Sequence, residues 1–342
     1  MTLRDRERAP IRAERGNARR VIAAWCVAVT TVGGTFIVAR ERGGDAPAAP
    51  RATVTSPPST TGATPPPPAP PPSSPPPQPP ASLTAALDAI DAATPEGCLS
   101  VASSAGMLYE SNAGAALVPA SAIKLATALA ALDVLGVDAR LRTTVRAEGP
   151  PVDGTLPGDL WLVGGGDPVL GTDAWSLDQQ PALYTSLDVL ADRVVQLGLR
   201  RVEGAVVGDD SRYDARRTVE TWPARFIADG EVGPLSALTV NDGFRVWGHP
   251  GVAFEDPAAG AAELFLELLE ARGVEVAGGA TTGTSTGTTD LASVESPPVG
   301  DLVGVMLLGS DNGTAELLVK EIAVRRGFEG STAAGAAVIV DV

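Results

Sequence analysis

Histidine and cysteine are close to absent. The 342 residues contain one histidine, His249, and two cysteines, Cys26 and Cys98, which excludes a zinc site built from those ligands. Cys26 falls in an uncharged stretch near the N-terminus and Cys98 stands alone in the remainder, so no internal disulfide is available there. Cys98, in Cys98-Leu-Ser-Val-Ala102, reads as a buried strand residue rather than a reactive thiol. No G-x-S-x-G elbow exists to give His249 a nucleophile, and with Pro250 after it the residue reads as loop punctuation. The G-x-x-x-x-G-K-[ST] phosphate loop is missing too: Gly164-Gly-Gly-Asp-Pro168 lacks its lysine and a following helix, and reads as a tight turn. Lysine is rare as well, with Lys124 and Lys320 standing alone among 26 basic residues.

Charge disappears between Val21 and Ala39. That run is long enough to cross a bilayer, and the seven arginines against three acids in residues 1–20 predict that the N-terminus stays cytoplasmic. The sequence thus predicts a basic cytoplasmic segment at 1–20 and a transmembrane anchor or signal sequence at 21–39. Thr30, Thr31, Gly33 and Gly34 dilute the apolar run, while no convincing A-x-A cleavage site follows Val38. The expectation is a single-pass protein of the cell membrane with its C-terminal part extracytoplasmic, or a secreted protein if the segment is cleaved. Residues 40–80, dominated by Pro, Ala, Ser, Thr and Gly, cannot bury a core and form a disordered, semi-rigid Pro-rich linker. Beyond residue 80 there are 16 basic against 36 acidic residues, a formal charge of about −20. That excess argues against nucleic acid and anionic lipid head groups as partners.

What the remaining chain does contain begins with Ser82-Leu-Thr-Ala-Ala-Leu87-Asp-Ala-Ile90, a helix that Ser82 can cap. Cys98–Ala102 and Met107–Tyr109 around a Ser-Ser-Ala-Gly turn read as a hairpin. In Pro119-Ala-Ser121-Ala-Ile-Lys124, continued by Leu125, Leu129, Leu132 and Leu135 at helical spacing up to Gly136, Ser121 and Lys124 fall on the first turn of a buried helix and face the same way. A hydroxyl becomes nucleophilic when something removes its proton, and an amine desolvated against an apolar helix can do so; arginine cannot. The helix N-terminus also offers free N–H groups to an oxyanion formed at Ser121.

From Arg140 to Thr289 the pattern turns to short strands (141–147, 159–163, 202–207) and scattered helices (186–197 and 257–272, stopped by Gly198 and Gly273). Thr281–Thr289 reads as a flexible surface loop. Farther on, two helical patterns flank Ser310-Asp311-Asn312, whose bland reading is a helix cap.

S-x-x-K followed by S-D-N is two thirds of the signature of penicillin-binding proteins and class A β-lactamases. Several longer stretches resemble one family, the D-Ala-D-Ala carboxypeptidase/endopeptidases of peptidase family S13, the class C low-molecular-mass penicillin-binding proteins. They are Val118-Pro-Ala-Ser121-Ala-Ile-Lys124-Leu, Gly158-Asp-Leu-Trp-Leu-Val-Gly-Gly-Gly-Asp-Pro168, Val206-Val-Gly-Asp-Asp-Ser211, Leu235-Ser-Ala-Leu-Thr-Val-Asn-Asp-Gly243 and Ser310-Asp-Asn312. The separation of 189 positions from Ser121 to Ser310 is also like that family, whose members carry extra domains between the two motifs. The resemblance implies a β-lactamase/transpeptidase-like α/β (α+β) domain made of 81–140 and 291–342, with an inserted, mainly β region at 141–290. It implies Ser121 as nucleophile toward D-Ala-D-Ala of peptidoglycan stem peptides, Lys124 as the acceptor of its proton, Ser310 as relay to the leaving nitrogen and Asn312 as a hydrogen-bonding partner of substrate or Lys124. β-Lactams would acylate the same serine; no cofactor or metal is implied. The family's third motif, K-T-G or H-T-G, is missing: Leu125 follows Lys124, Glu321 follows Lys320 and Pro250 follows His249. The expectation is a chain truncated before that motif. Two alternatives stand beside the peptidase: a catalytically incomplete envelope protein that binds peptidoglycan or a partner, and a serine β-lactamase or esterase.

Overall fold

The computed structural model describes residues 79–223, 225–247 and 251–342. The basic segment, the apolar run at 21–39, nearly all of the linker, Cys26 and His249 lie outside the described residues.

The first helix, α1 (Ala81–Ala93), starts one residue before Ser82; Pro80 takes the N-cap position and no side chain caps it. Strands β1 (Leu99–Ser103) and β2 (Gly106–Ser111) form the expected antiparallel hairpin, with Gly106 at φ 129° in its turn. Cys98 is exposed, contrary to expectation, because it precedes β1 rather than lying within it. A 3-10 turn, Ala120–Ile123, leads directly into α2 (Lys124–Val134). Thus Ser121 sits in the tighter turn and Lys124 opens the α-helix.

The leucine stripe of α2 does not face the core. Leu125 and Leu129 are each 62% exposed, whereas Lys124, Thr127, Ala128, Ala130 and Ala131 are buried. Small residues win that face because neighbouring helices approach closely: α5 (Val299–Gly309), α6 (Asn312–Arg325) and α7 (Thr332–Asp341) close around Ala128, Ala131 and Leu135 with Val303, Met306, Leu318, Ile322 and Val338. Gly335 is needed where α7 crosses α6, since a Cβ there would meet the Val319 carbonyl oxygen at 2.0 Å.

A five-stranded sheet fills the middle of the chain. Labelled along the sequence its strands are β3 (Arg142–Ala147), β4 (Leu160–Val163), β5 (Val206–Asp209), β6 (Ala280–Thr282) and β7 (Thr289–Glu295), and their order in space is β6-β5-β4-β3-β7. β4, β5 and β6 run parallel, while β3 and β7 join antiparallel. Helices α3 (Leu187–Gln196), capped by Ser186, and α4 (Pro257–Ala271), capped by Asp256, pack on the sheet around Leu162, Leu190, Val194, Phe265 and Leu269. The threonine-rich stretch from 281 to 289 is therefore not a free loop. It opens as β6, hydrogen-bonded along β5, and Ser285 donates its N–H to Asp209 Oδ2 at 2.7 Å.

Gly164–Gly166 leaves β4 through a packed turn, where a Cβ on Gly165 would lie 2.0 Å from the Arg142 carbonyl oxygen. A third apolar cluster, with Tyr213, Val232, Leu235 and Leu317, seats the irregular 213–237 segment against α6. Among the described residues no helix is long and apolar enough to cross a membrane, and no cluster of three or more His, Cys, Asp or Glu side chains is arranged to hold a metal ion.

Candidate active site

The turn between α5 and α6 divides its three residues among three tasks. Ser310 ends α5 in the left-handed region, φ 54° and ψ 36°, a conformation that costs a non-glycine residue about 1 kcal/mol. Asp311 is the cap: its carboxylate accepts the Thr314 N–H at 2.9 Å and the Thr314 hydroxyl at 3.2 Å. Asn312 is the first residue of α6. The capping reading of Ser-Asp-Asn thus belongs to Asp311 alone, which leaves the side chains on either side of it for other partners.

Those partners come from the start of α2. Ser310 Oγ donates to Ser121 Oγ at 2.7 Å, although 189 residues separate them. Lys124 Nζ donates to Ser121 Oγ at 3.3 Å and to Asn312 Oδ1 at 2.7 Å. All four residues singled out from the sequence, Ser121, Lys124, Ser310 and Asn312, therefore meet in one hydrogen-bonded group. Ala120, immediately before the serine, is also left-handed at φ 47°. Backbone held in such regions on both sides of a hydroxyl pair marks a place where geometry outranks local preference.

The electrostatics separate the two ends of the group. Ser121 and Ser310 are exposed, while Lys124 is 6% exposed. Burial lowers the Lys124 ammonium below the ordinary lysine value, and the carboxylates of Asp311 and Glu316 pull it partly back. A lowered amine beside a hydroxyl can accept that hydroxyl's proton as the oxygen attacks an electrophile.

The group opens on a cleft of about 540 Å³ whose walls include Trp222, Phe226, Glu231 and Glu316 besides the four residues themselves. A second cavity of about 460 Å³, which shares Glu231, Ser310 and Asn312 with the first, is also lined by Trp175, Trp247, Asp242 and Asp311. There burial, with Asp311 opposite, raises Asp242 to about 8. Of the cleft residues that the sequence reading missed, Glu316 carried a usable signal, since it lies one helical turn after Asn312. Trp222 and Phe226 lie in an irregular segment and a one-turn helix, where no periodicity marks them.

The fold that carries this group is that of penicillin-binding proteins. The crystal structure of penicillin binding protein 4 (dacB) from Haemophilus influenzae is similar with a TM-score of 0.60 at 18% identity, covering 69% of this chain and 64% of that one. The same protein complexed with a novel β-lactam is similar with a TM-score of 0.52. The chain belongs to the D-Ala-D-Ala carboxypeptidase 3 (S13) family, whose profile matches residues 83–247 and 249–342. Its relatives include the D-alanyl-D-alanine carboxypeptidase of Actinomadura sp. (strain R39), 36% identical over 184 residues, 51% of this chain and 32% of the relative. Carboxypeptidase DacB of Mycolicibacterium smegmatis is 32% identical over 268 residues, 74% of this chain and 54% of the relative. A carboxypeptidase of Mycobacterium tuberculosis is 31% identical over 255 residues, 71% of this chain and 52% of the relative. The chain thus spans a third to about half of the length of these relatives.

Proposed function

We propose that the protein is a serine-type D-Ala-D-Ala carboxypeptidase/endopeptidase acting on peptidoglycan stem peptides, and that β-lactams acylate it at the same residue. The observation that carries this is the hydrogen-bonded group of Ser121, Lys124, Ser310 and Asn312. Ser121 Oγ attacks the carbonyl carbon of the penultimate D-Ala and gives its proton to the neutral Lys124 amine. The C–N bond to the leaving amine breaks as that proton passes through the Ser310 hydroxyl to the nitrogen, and an ester remains on Ser121. Water then hydrolyses the ester and restores the hydroxyl. Asn312 holds the amine in line throughout, and a lactam carbonyl is attacked in the same way.

Fluorescent penicillin is expected to label the intact protein covalently and Ser121→Ala to abolish the label; equal labelling of the variant would overturn the assignment. A second reading is an envelope protein that binds peptidoglycan or a partner without turning it over. A folded intact protein that never reacts with penicillin would select it. We further propose that residues 21–39 hold the protein at the cell membrane with residues from 81 onward extracytoplasmic, on the strength of that uncharged run and the arginines before it.

A further inference from the structure

Glu316 has no part in the proton path above, yet it stands in the wall of the same cleft as Ser121 and Lys124. It lies one turn beyond Asn312 on α6, so the two side chains project to the same side. The Thr332 hydroxyl on α7 donates to its Oε2 at 3.1 Å, which fixes the half-buried carboxylate in place. Lys124 spends its hydrogen bonds on Ser121 and Asn312, so the acid and the amine act on each other through space. Two carboxylates favour the Lys124 ammonium, Asp311 and Glu316. Asp311 is committed to capping α6. Glu316 is faced in turn by Lys124 and by Lys320, the latter one turn farther along α6 and itself paired with Asp214.

We propose that Glu316 is a positioning residue for acyl transfer: its carboxylate, clamped by Thr332 in the wall of the cleft that Ser121 and Lys124 share, steadies the charge that Lys124 gains as it takes the Ser121 proton. The inference rests on the acyl-transfer reading. Desolvation alone makes the amine neutral at the expense of its strength as a base, and a base works best when its affinity for the proton matches the working pH. A negative charge in the wall of the same cleft restores part of that affinity and steadies the ammonium formed as Ser121 attacks.

The scarcity of lysine makes the test direct. In intact protein labelled with ¹³C at lysine Cε, the Lys124 resonance is assigned by its disappearance in Lys124→Gln, and its titration is followed by NMR. In Glu316→Gln the midpoint is expected to fall by roughly 0.5–1 pH unit. In Glu316→Asp, which keeps the charge, it falls by less than half as much. The acid limb of the penicillin acylation rate follows the same order. If Glu316→Gln does not fold, Thr332→Val replaces it, with a smaller shift of the same sign expected as the carboxylate leaves its clamp. A Lys124 titration that superimposes on wild type in the folded variant overturns the inference, whatever penicillin does. Wild-type protein that shows the shift on mutation but is never labelled at Ser121 overturns the acyl-transfer reading instead.

Discussion

Asp167 shows how much the fold asks of a single carboxyl group. It is 2% exposed, accepts the Val169 N–H at 3.0 Å through Oδ1, and leaves Oδ2 without a hydrogen-bond partner among the described residues. Burial raises it to about 6, against the pull of the Val169 N–H and of the Thr185 hydroxyl close by. Because the folded value lies above the unfolded one, the unfolded chain loses this proton first. The group therefore costs nothing below about pH 4, and stability falls as pH rises from there to about 6, by on the order of 3 kcal/mol in all. Asp167→Asn keeps the Oδ1 acceptor and removes the titration. Its stability gain over wild type, measured by denaturant unfolding, is expected to be small at pH 4 and to reach about 2–3 kcal/mol at pH 7; a gain that does not change with pH would refute the assignment. Nothing in Gly164-Gly-Gly-Asp-Pro168 as a string announces this. Turn composition was legible there, whereas the surroundings of the acid include Thr185, which only the fold brings beside it.

At the scale of elements, α6 is the part that the rest of the molecule holds. Arg212 donates to Glu321 through two nitrogens at 2.7 and 2.8 Å, Tyr213 Oη adds a third bond at 3.1 Å, and Lys320, 1% exposed, is ion-paired with Asp214. These pairs tie α6, and with it Asn312, to the segment following β5. Removing one partner of a buried pair strands the other charge, so Lys320→Met is expected to cost about 3–5 kcal/mol. Combining it with Asp214→Leu should recover most of that in a double-mutant cycle, and additive losses would show that the pair is not coupled. The hairpin β1–β2 and the ends of α3 and α4 at Gly198 and Gly273 were legible because they are written in local turn and capping chemistry. The buried face of α2 was not. A leucine count measures the size of apolar side chains, while the packed face was chosen by how closely α5, α6 and α7 approach. The same limit applies to the site: S-x-x-K and S-D-N were readable as separate strings, but their meeting across 189 residues, and the arrival of Trp222, Phe226 and Glu231 beside them, is decided by tertiary packing.

For the whole molecule, the proposed anchoring by residues 21–39 is open to a truncation test. Deleting residues 1–40 is expected to move the protein from the membrane fraction to the soluble fraction while leaving the thermal unfolding of the remainder unchanged; retention with the membrane would refute anchoring by that run. The hydrogen bond from Ser310 to Ser121 carries one last consequence. It joins positions 189 apart in the chain, so a growing chain that has just released Ser121 and Lys124 has yet to make the hydroxyl and the amide that complete their hydrogen-bonded group.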